Sequence, residues 1–258
     1  MSLTEILGLA AAGAAAGIVN SIAGGGTLLT FPTLLLFATP GKIANATSTL
    51  ALFFGTSGSL FGYRKQLATV KPWLARFVPV SALGGWLGGV LLTRTSEKAF
   101  AHLVPFFILF ATALFLAQGT FRRFAGFGEQ TNEVRPHHRV VWLAVVFQFI
   151  VALYGGYFGA GIGILMLASL GFIGLDNIHE MNALKTVLAA VINFVASVWL
   201  VISGLIDWPK AGVMTAGAMA GYFLGSHFAQ QIPQRHVRRI ITGVGIAISV
   251  WMFYQQIW

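Results

Sequence analysis

The chain has 258 residues and no cysteine, with 57% of its positions hydrophobic and only 9% charged. Soluble domains carry about 25% charged residues, so this composition excludes an ordinary water-soluble enzyme, and the lack of cysteine excludes disulfides, thiolate metal sites and Cys nucleophiles. Sixteen Lys and Arg against seven Asp and Glu give a net charge of +9; in so apolar a chain this is first a matter of orientation, because cytoplasmic loops collect Lys and Arg, and nucleic acid is a poor fit.

A membrane-spanning helix needs about 20 mostly apolar residues. The first predicted segment covers residues 5 to 23, with Glu5 where a signal peptide would carry Lys or Arg, so it reads as a retained helix. It ends at Gly24-Gly25-Gly26, and a short apolar piece from Leu28 to Phe37 stops before Pro40-Gly41. Ile43 to Tyr63, Pro72 to Leu92 and Ala99 to Gly119 complete a first transmembrane repeat over 1–119. Residues 120–139, with Arg122, Arg123, Glu129, Glu133, Arg135, His137 and His138, read as a solvated cytoplasmic connector. A second repeat over 140–258 follows: Val140 to Phe158, a break at Gly159-Ala160-Gly161-Ile162-Gly163, Ile164 to Phe172, Ile178 to Ile202, Ala211 to Phe228 and Val237 to Tyr254.

The second half repeats the first. Gly161 and Gly24, Gly163 and Gly26, Asn182 and Asn45, Thr186 and Thr49, Pro209 and Pro72, and Gly225 and Gly88 are each separated by 137 positions. One constant offset across these landmarks marks a duplicated unit. Charge sets the relation of the copies. Arg64, Lys65 and Lys71 fall in one loop of the first copy, while the matching loop of the second holds only Asp207 and Lys210, and Arg235, Arg238 and Arg239 lie elsewhere. Inverting the second copy puts these clusters and the connector on one face, as the positive-inside rule favours. The expected fold is therefore all-α, a polytopic membrane helix bundle of two inverted repeats with glycine-broken helices. Inversion requires an odd number of net crossings per copy. Ten segments in all, five per copy, are preferred, with eight as the alternative if the first two segments of each copy form a re-entrant pair, which leaves three net crossings per copy.

Inverted copies broken at glycine clusters point to a secondary transporter with its site near the midplane, since irregular backbone cannot face lipid. At Gly24, Gly25, Gly26 and Thr27 one helix ends and another begins, and the new N-terminus suits an anion; Gly159 and Gly161 mark the matching break. Close helix packing is the competing explanation for such glycines. Polar residues cluster beside the breaks: Asn20 and Ser21; Asn45, Thr47, Ser48 and Thr49, with Ser57 and Ser59 deeper; Tyr154 and Tyr157; Asn182, Lys185 and Thr186; and Asn193 at the position matching Thr56. Amides and hydroxyls can replace water around an oxyanion, although a lone Ser or Thr more often bonds its own helix backbone. Lys185 lies about two turns into a span, where a cation is costly and by default functional; snorkelling, or a pair with Glu180, is the alternative. Arg76, nearer its helix start, suits snorkelling. Asp176, His179 and Glu180 read as exposed loop charges with coupling protons as the competing role, and His102 as a packing residue. No hydrolytic triad, zinc motif or Walker loop occurs, so neither an enzyme, a metal site, a cofactor nor ATP-driven transport is expected.

At Gly17-Ile18-Val19-Asn20-Ser21-Ile22-Ala23-Gly24-Gly25-Gly26, Pro32, Asn45-Ala46-Thr47-Ser48 and Gly155-Gly156-Tyr157-Phe158-Gly159-Ala160-Gly161-Ile162-Gly163, the chain resembles the TauE/SafE family of sulfite exporters, which includes the 4-toluenesulfonate uptake permeases. The resemblance spans nearly the whole chain and implies a multi-pass carrier of the bacterial inner membrane for sulfite or organosulfonate anions. The three glycines of the first break against Gly-Ala-Gly-Ile-Gly in the second make the half-sites inequivalent. The combined expectation is a transporter whose break amides, with the clusters at Asn45 and Asn182, hold the SO3 group, Lys185 supplying charge; the partners are that anion and the bilayer, with coupling protons and a homodimer compatible with the sequence. A proton-coupled importer of another organic anion and a non-transporting membrane assembly protein are the rival readings.

Overall fold

A computed structural model describes residues 1–22, 24–59, 64–124, 138–172, 175, 178–228 and 234–257. Connector residues 125–137, with Glu129, Glu133, Arg135 and His137, and Asp176 lie outside the described residues, as do the side chains of Ser59, Arg64, Lys65, Arg122, Arg123, His138, His179, Arg235, Arg238 and Arg239. The described residues form helices and no strand: α1 Leu3–Ile22, α2 Thr27–Leu36, α3 Gly41–Ser59, α4 Arg64–Thr69, α5 Lys71–Arg94, α6 Glu97–Phe124, α7 His138–Tyr157, α8 Ile162–Phe172, α9 Ile178–Ile202, α10 Trp208–Phe228 and α11 Gln234–Ile257. Segments in α1, α5, α6 and α9 are long and apolar enough to cross a membrane, so the molecule is a polytopic helical membrane protein.

Large apolar side chains point outward along the bundle, among them Phe106, Leu143, Ile150, Phe223 and Val250. Water would penalise such a surface, whereas lipid matches it. Polarity is turned inward instead. Asn45, Thr47, Ser48 and Thr49 of α3 and Lys185 and Thr186 of α9 are all buried, which explains why α3 is less apolar than α1, α5, α6 and α9 although it runs through the middle of the bundle.

Glycine sets which helices touch. A Cβ on Gly13 or Gly17 of α1 would strike the backbone of α10 at Met214 to Tyr222, and one on Gly221 would strike Ala14. Gly84 and Gly88 of α5 lie in the same way against Phe149 to Tyr157 of α7. Such close approach lets backbones pack without any hydrophobic gain from leaving lipid. Contacts ascend together along each pair: Glu5 meets Lys210 where Gly13 meets Met214, and Thr47 meets Asp207 where Thr56 meets Tyr222. Thus α1, α3 and α10 are parallel. Helices α5, α7 and α9 form a second parallel set, through Ser81 to Gln148, Gly85 to Ile192 and Thr93 to Trp199. The sets oppose each other, because Lys42 at the start of α3 donates to the carbonyls of Thr93 and Thr95 at the end of α5, at 3.1 and 2.7 Å. Gly55 lies against Tyr222 and Gly85 against Ile192, and 192 − 55 = 222 − 85 = 137.

One end of the bundle therefore gathers Glu5, Phe37, Lys42, Thr95 and Lys210. Helix α2 runs back along α1 towards that end, with Gly26 beside Ala16 and the Phe37 ring against Gly8. At ten residues it rises about 15 Å, half of what a hydrocarbon core requires. The pair α1–α2 thus enters and leaves by the same end, the arrangement of the eight-segment alternative. The opposite end receives the termini of α3 and α6 and the starts of α5, α7, α9 and α11, the helix ends that flank the basic stretches of the sequence.

Candidate functional site

The two breaks meet in the middle of the bundle: a Cβ on Gly24 would lie 3.6 Å from the Gly163 Cα. Gly24, Gly25, Gly159 and Gly161 all have positive φ, from 75 to 117°, a region L side chains enter only at a cost. Gly25 could not carry a Cβ for a second reason, since the Phe115 ring of α6 occupies its space, and Ala111 and Leu114 of the same helix lie against Gly161. One face of α6 backs both breaks.

At the first break Asn20 accepts hydrogen bonds from the N–H groups of Gly25 and Gly26, both at 2.7 Å. It caps α2 across the turn, satisfying amides that a helix start leaves open. Those two amides are therefore engaged by the protein itself. Thr27 is buried just behind them. Thr30 Oγ1 donates to the Gly26 carbonyl at 3.2 Å and lies 2.6 Å from Ser48 Oγ on α3. Sequence reading passed over Thr30; its signal is a hydroxyl one turn after the break in an otherwise apolar piece.

At the second break the N–H groups of Phe158 and Gly159 both close onto the Tyr154 carbonyl, and Tyr154 OH donates to the Ala160 carbonyl at 2.8 Å. Asn45 reaches over from α3, its Nδ2 donating to the Tyr157 carbonyl at 2.9 Å. Since a carbonyl can only accept, this bond fixes the amide's orientation, and Asn45 Oδ1 is buried without a hydrogen-bond partner among the described residues. Tyr157 turns its OH away, to Thr95 Oγ1 at 3.2 Å. Phe31, Phe100, Phe107 and Phe158 pack around this break with ring centroids 5.3 to 6.4 Å apart, sealing it from the end that holds Lys42 and Lys210.

Asn182 does not join Asn45. Because α3 and α9 are antiparallel and touch through Phe53 and Phe194, Asn45 lies about 12 Å along its helix on one side of that contact and Asn182 about 18 Å on the other. The expectation that both hold one SO3 group gives way to two separate clusters on opposite sides of the breaks. Asn182 Oδ1 accepts from Lys185 Nζ at 3.0 Å. Lys185 is 7% exposed, which rules out snorkelling, and it does not pair with Glu180: the ion pairs among the described residues both belong to Lys210. Thr49 and Thr186 bond the carbonyls of Asn45 and Asn182 respectively, at 2.8 and 2.7 Å. Ser57 bonds the Phe53 carbonyl of its own helix, Asn193 is half-buried away from both clusters, and His102 and Arg76 are exposed, Arg76 lying over the Trp73 ring.

Sequence reading also missed the cage around Lys210. Its Nζ lies 3.1 Å from Glu5 Oε1 and 3.8 Å from Asp207 Oδ2, and donates to the Phe37 carbonyl and Thr39 Oγ1, both at 2.9 Å. This ties α1, the end of α2 and α10 together at the sealed end.

A bundle of apolar-faced helices with two glycine breaks facing each other is an arrangement found in membrane carriers, and comparison with known proteins agrees. Three relatives cover most of this chain and of themselves: a probable membrane transporter protein of Haemophilus influenzae, 27% identical over 95% of this chain and 93% of its own; probable membrane transporter protein ORF9 of a Sinorhizobium species, 26% identical over 91% and 87%; and probable membrane transporter protein YunE of Bacillus subtilis, 24% identical over 95% and 96%. No solved structure matches the chain. The model of the family described as Sulfite exporter TauE/SafE matches residues 9–252, and the chain belongs to that family of membrane transporters.

Proposed function

We propose that this protein is a secondary transporter of small sulfur-containing oxyanions, sulfite or an organosulfonate, in the bacterial inner membrane, working by alternating access between inverted repeats over 1–119 and 140–258. The observation that carries the reading is Lys185, a buried cation held, among the described residues, by one neutral oxygen and no carboxylate. An isolated ammonium inside a membrane bundle is expensive, and an anion arriving beside it removes that cost. The anion takes its charge partner from Lys185 and its remaining hydrogen bonds from the α8–α9 side of the breaks, where Gly161 and Gly163 lie buried in the bundle. Asn182 orients the ammonium; Asn20 and Asn45 hold the broken helices in place and act on the site through them.

The paired contacts of Gly55 with Tyr222 and Gly85 with Ile192, spaced by the offset that recurs in the sequence, support the repeat reading, and helix directions that bring the helix ends flanking the basic stretches to one side support a cytoplasmic assignment for that side. Rocking about the breaks would release the aromatic seal and the Lys210 cage together. The test is binding of sulfite, thiosulfate, sulfoacetate, taurine and aromatic sulfonates to purified protein, alongside a carboxylate control, followed by counterflow in proteoliposomes. Lys185→Met is expected to lose sulfur-anion binding while staying folded. Undiminished affinity in that variant, or tighter binding of the carboxylate, defeats the reading.

A further inference from the structure

We propose that the protein binds a sodium ion at Asn45, in the position that the Lys185 ammonium takes at Asn182. The inference rests on the repeat reading above, and it names a coupling ion that the reading leaves open. Asn45 and Asn182 are 137 positions apart and so are Ser48 and Lys185. The two asparagines have the same local setting, since each backbone carbonyl accepts a threonine hydroxyl one turn on, Thr49 or Thr186. At Asn182 the side-chain oxygen is satisfied by a cation, the Lys185 ammonium at 3.0 Å. At Asn45 the corresponding residue is Ser48, which brings no charge, and among the described residues Oδ1 has no partner, on a residue 1% exposed.

A buried acceptor in that condition is unfavourable, and its amide cannot turn over because Nδ2 is committed to the Tyr157 carbonyl. What the oxygen can receive is a donor or a cation, never an anion, so this cluster cannot be a mirror copy of the anion site. Three features select a cation. Tyr157 is the last residue of α7, and the C-terminal end of a broken helix, with its dipole and turned-out carbonyls, is where transporters of this architecture hold sodium. Ser48 Oγ lies one turn from Asn45 on the same helix face, and with Thr30 Oγ1 2.6 Å away it adds hard neutral oxygens of the kind a small alkali cation prefers. Neither Asn45 nor Ser48 titrates, so a proton cannot substitute. Sodium is held by Asn45 Oδ1 and Ser48 Oγ, while Lys185 is the same charge built permanently into the other half.

The test uses purified full-length protein in detergent, with choline chloride replaced stepwise by sodium chloride at constant ionic strength and no sulfur anion present; thermal unfolding midpoint and bound radioactive sodium are read. Wild type is expected to show a saturable rise in both, Asn45→Ala to need at least tenfold more sodium, and Ser48→Lys, which supplies a tethered ammonium, to unfold at a midpoint independent of sodium. No saturable sodium effect in wild type, or Asn45→Ala titrating like wild type, overturns the proposal. If Asn45→Ala does not fold, Ser48→Ala decides: an unchanged sodium midpoint overturns it. Lys185→Met separates the two readings, since it is expected to keep the sodium response while losing sulfite binding. Sodium binding in a protein that takes no sulfur anion would sink only the proposed function, and sulfite binding without a sodium site only this inference.

Discussion

Asn20 serves two amides with one carbonyl oxygen, and that economy makes it the most exposed point of the first break. Replacing it by Ala strands the N–H groups of Gly25 and Gly26 and is expected to lower stability by about 1–3 kcal/mol; Asn20→Asp keeps the acceptor and adds a charge that suits the start of α2, so it should stay closer to wild type. Denaturant unfolding in detergent ranks the three, and an Ala variant as stable as the parent would remove the capping role. Ala38 gives the opposite sign. It closes α2 with φ 55°, backed by a bond from the Thr39 N–H to the Leu34 carbonyl at 3.1 Å, a geometry that favours glycine. Ala38→Gly is expected to raise stability by about 1 kcal/mol. At this scale the sequence was partly legible. Asn20 and Lys185 stood out as polar residues in apolar spans, but that Asn20 faces the break amides and Asn45 the Tyr157 carbonyl depends on rotamers that no spacing encodes.

Between elements, glycine decides more than hydrophobicity does. Gly221 of α10 and Gly88 of α5 press on the backbones of Ala14 and Leu153, whereas Gly212 has nothing near the place of a Cβ. Gly221→Ala or Gly88→Ala is expected to cost about 1–3 kcal/mol from overpacking, and Gly212→Ala to be neutral or to gain up to about 1 kcal/mol through helix propensity. Equal effects at the three positions would mean that these contacts do not hold the bundle together. The helices themselves were readable from apolar length and from the glycine breaks. The direction of α2 was not, because a ten-residue apolar piece fits both a short crossing and a return along its neighbour, and the contacts of Gly26 with Ala16, Phe37 with Gly8 and Lys210 with the Phe37 carbonyl distinguish them. The Asn45 and Asn182 clusters were readable as residues and misread as one site, since matched positions in oppositely directed helices fall on opposite sides of the centre.

Over the whole molecule, Lys210 joins residues 170 positions or more apart, from Glu5 and Phe37 to Asp207, and its counterpart by the same offset is Trp73. Among the described residues the fastening therefore exists at one end only. Lys210→Met is expected to speed maleimide labelling of a cysteine placed at the buried Leu34 position, a measurement free of background because the chain has no cysteine of its own; equal rates with and without Lys210 would show that the cage does not restrain α2. The parallel set of α1, α3 and α10 has a further consequence, for the order in which the protein can be made. The faces of Gly13 and Gly17 find their complement only at Met214 to Tyr222, some 200 residues later in synthesis (214 − 13 = 201). Until then α1 waits in the bilayer with its small-residue groove uncovered, and the nascent chain must be shielded from premature partners. Neither half is a finished folding unit, so a separately expressed N-terminal half should be degraded unless the C-terminal half is supplied in the same membrane.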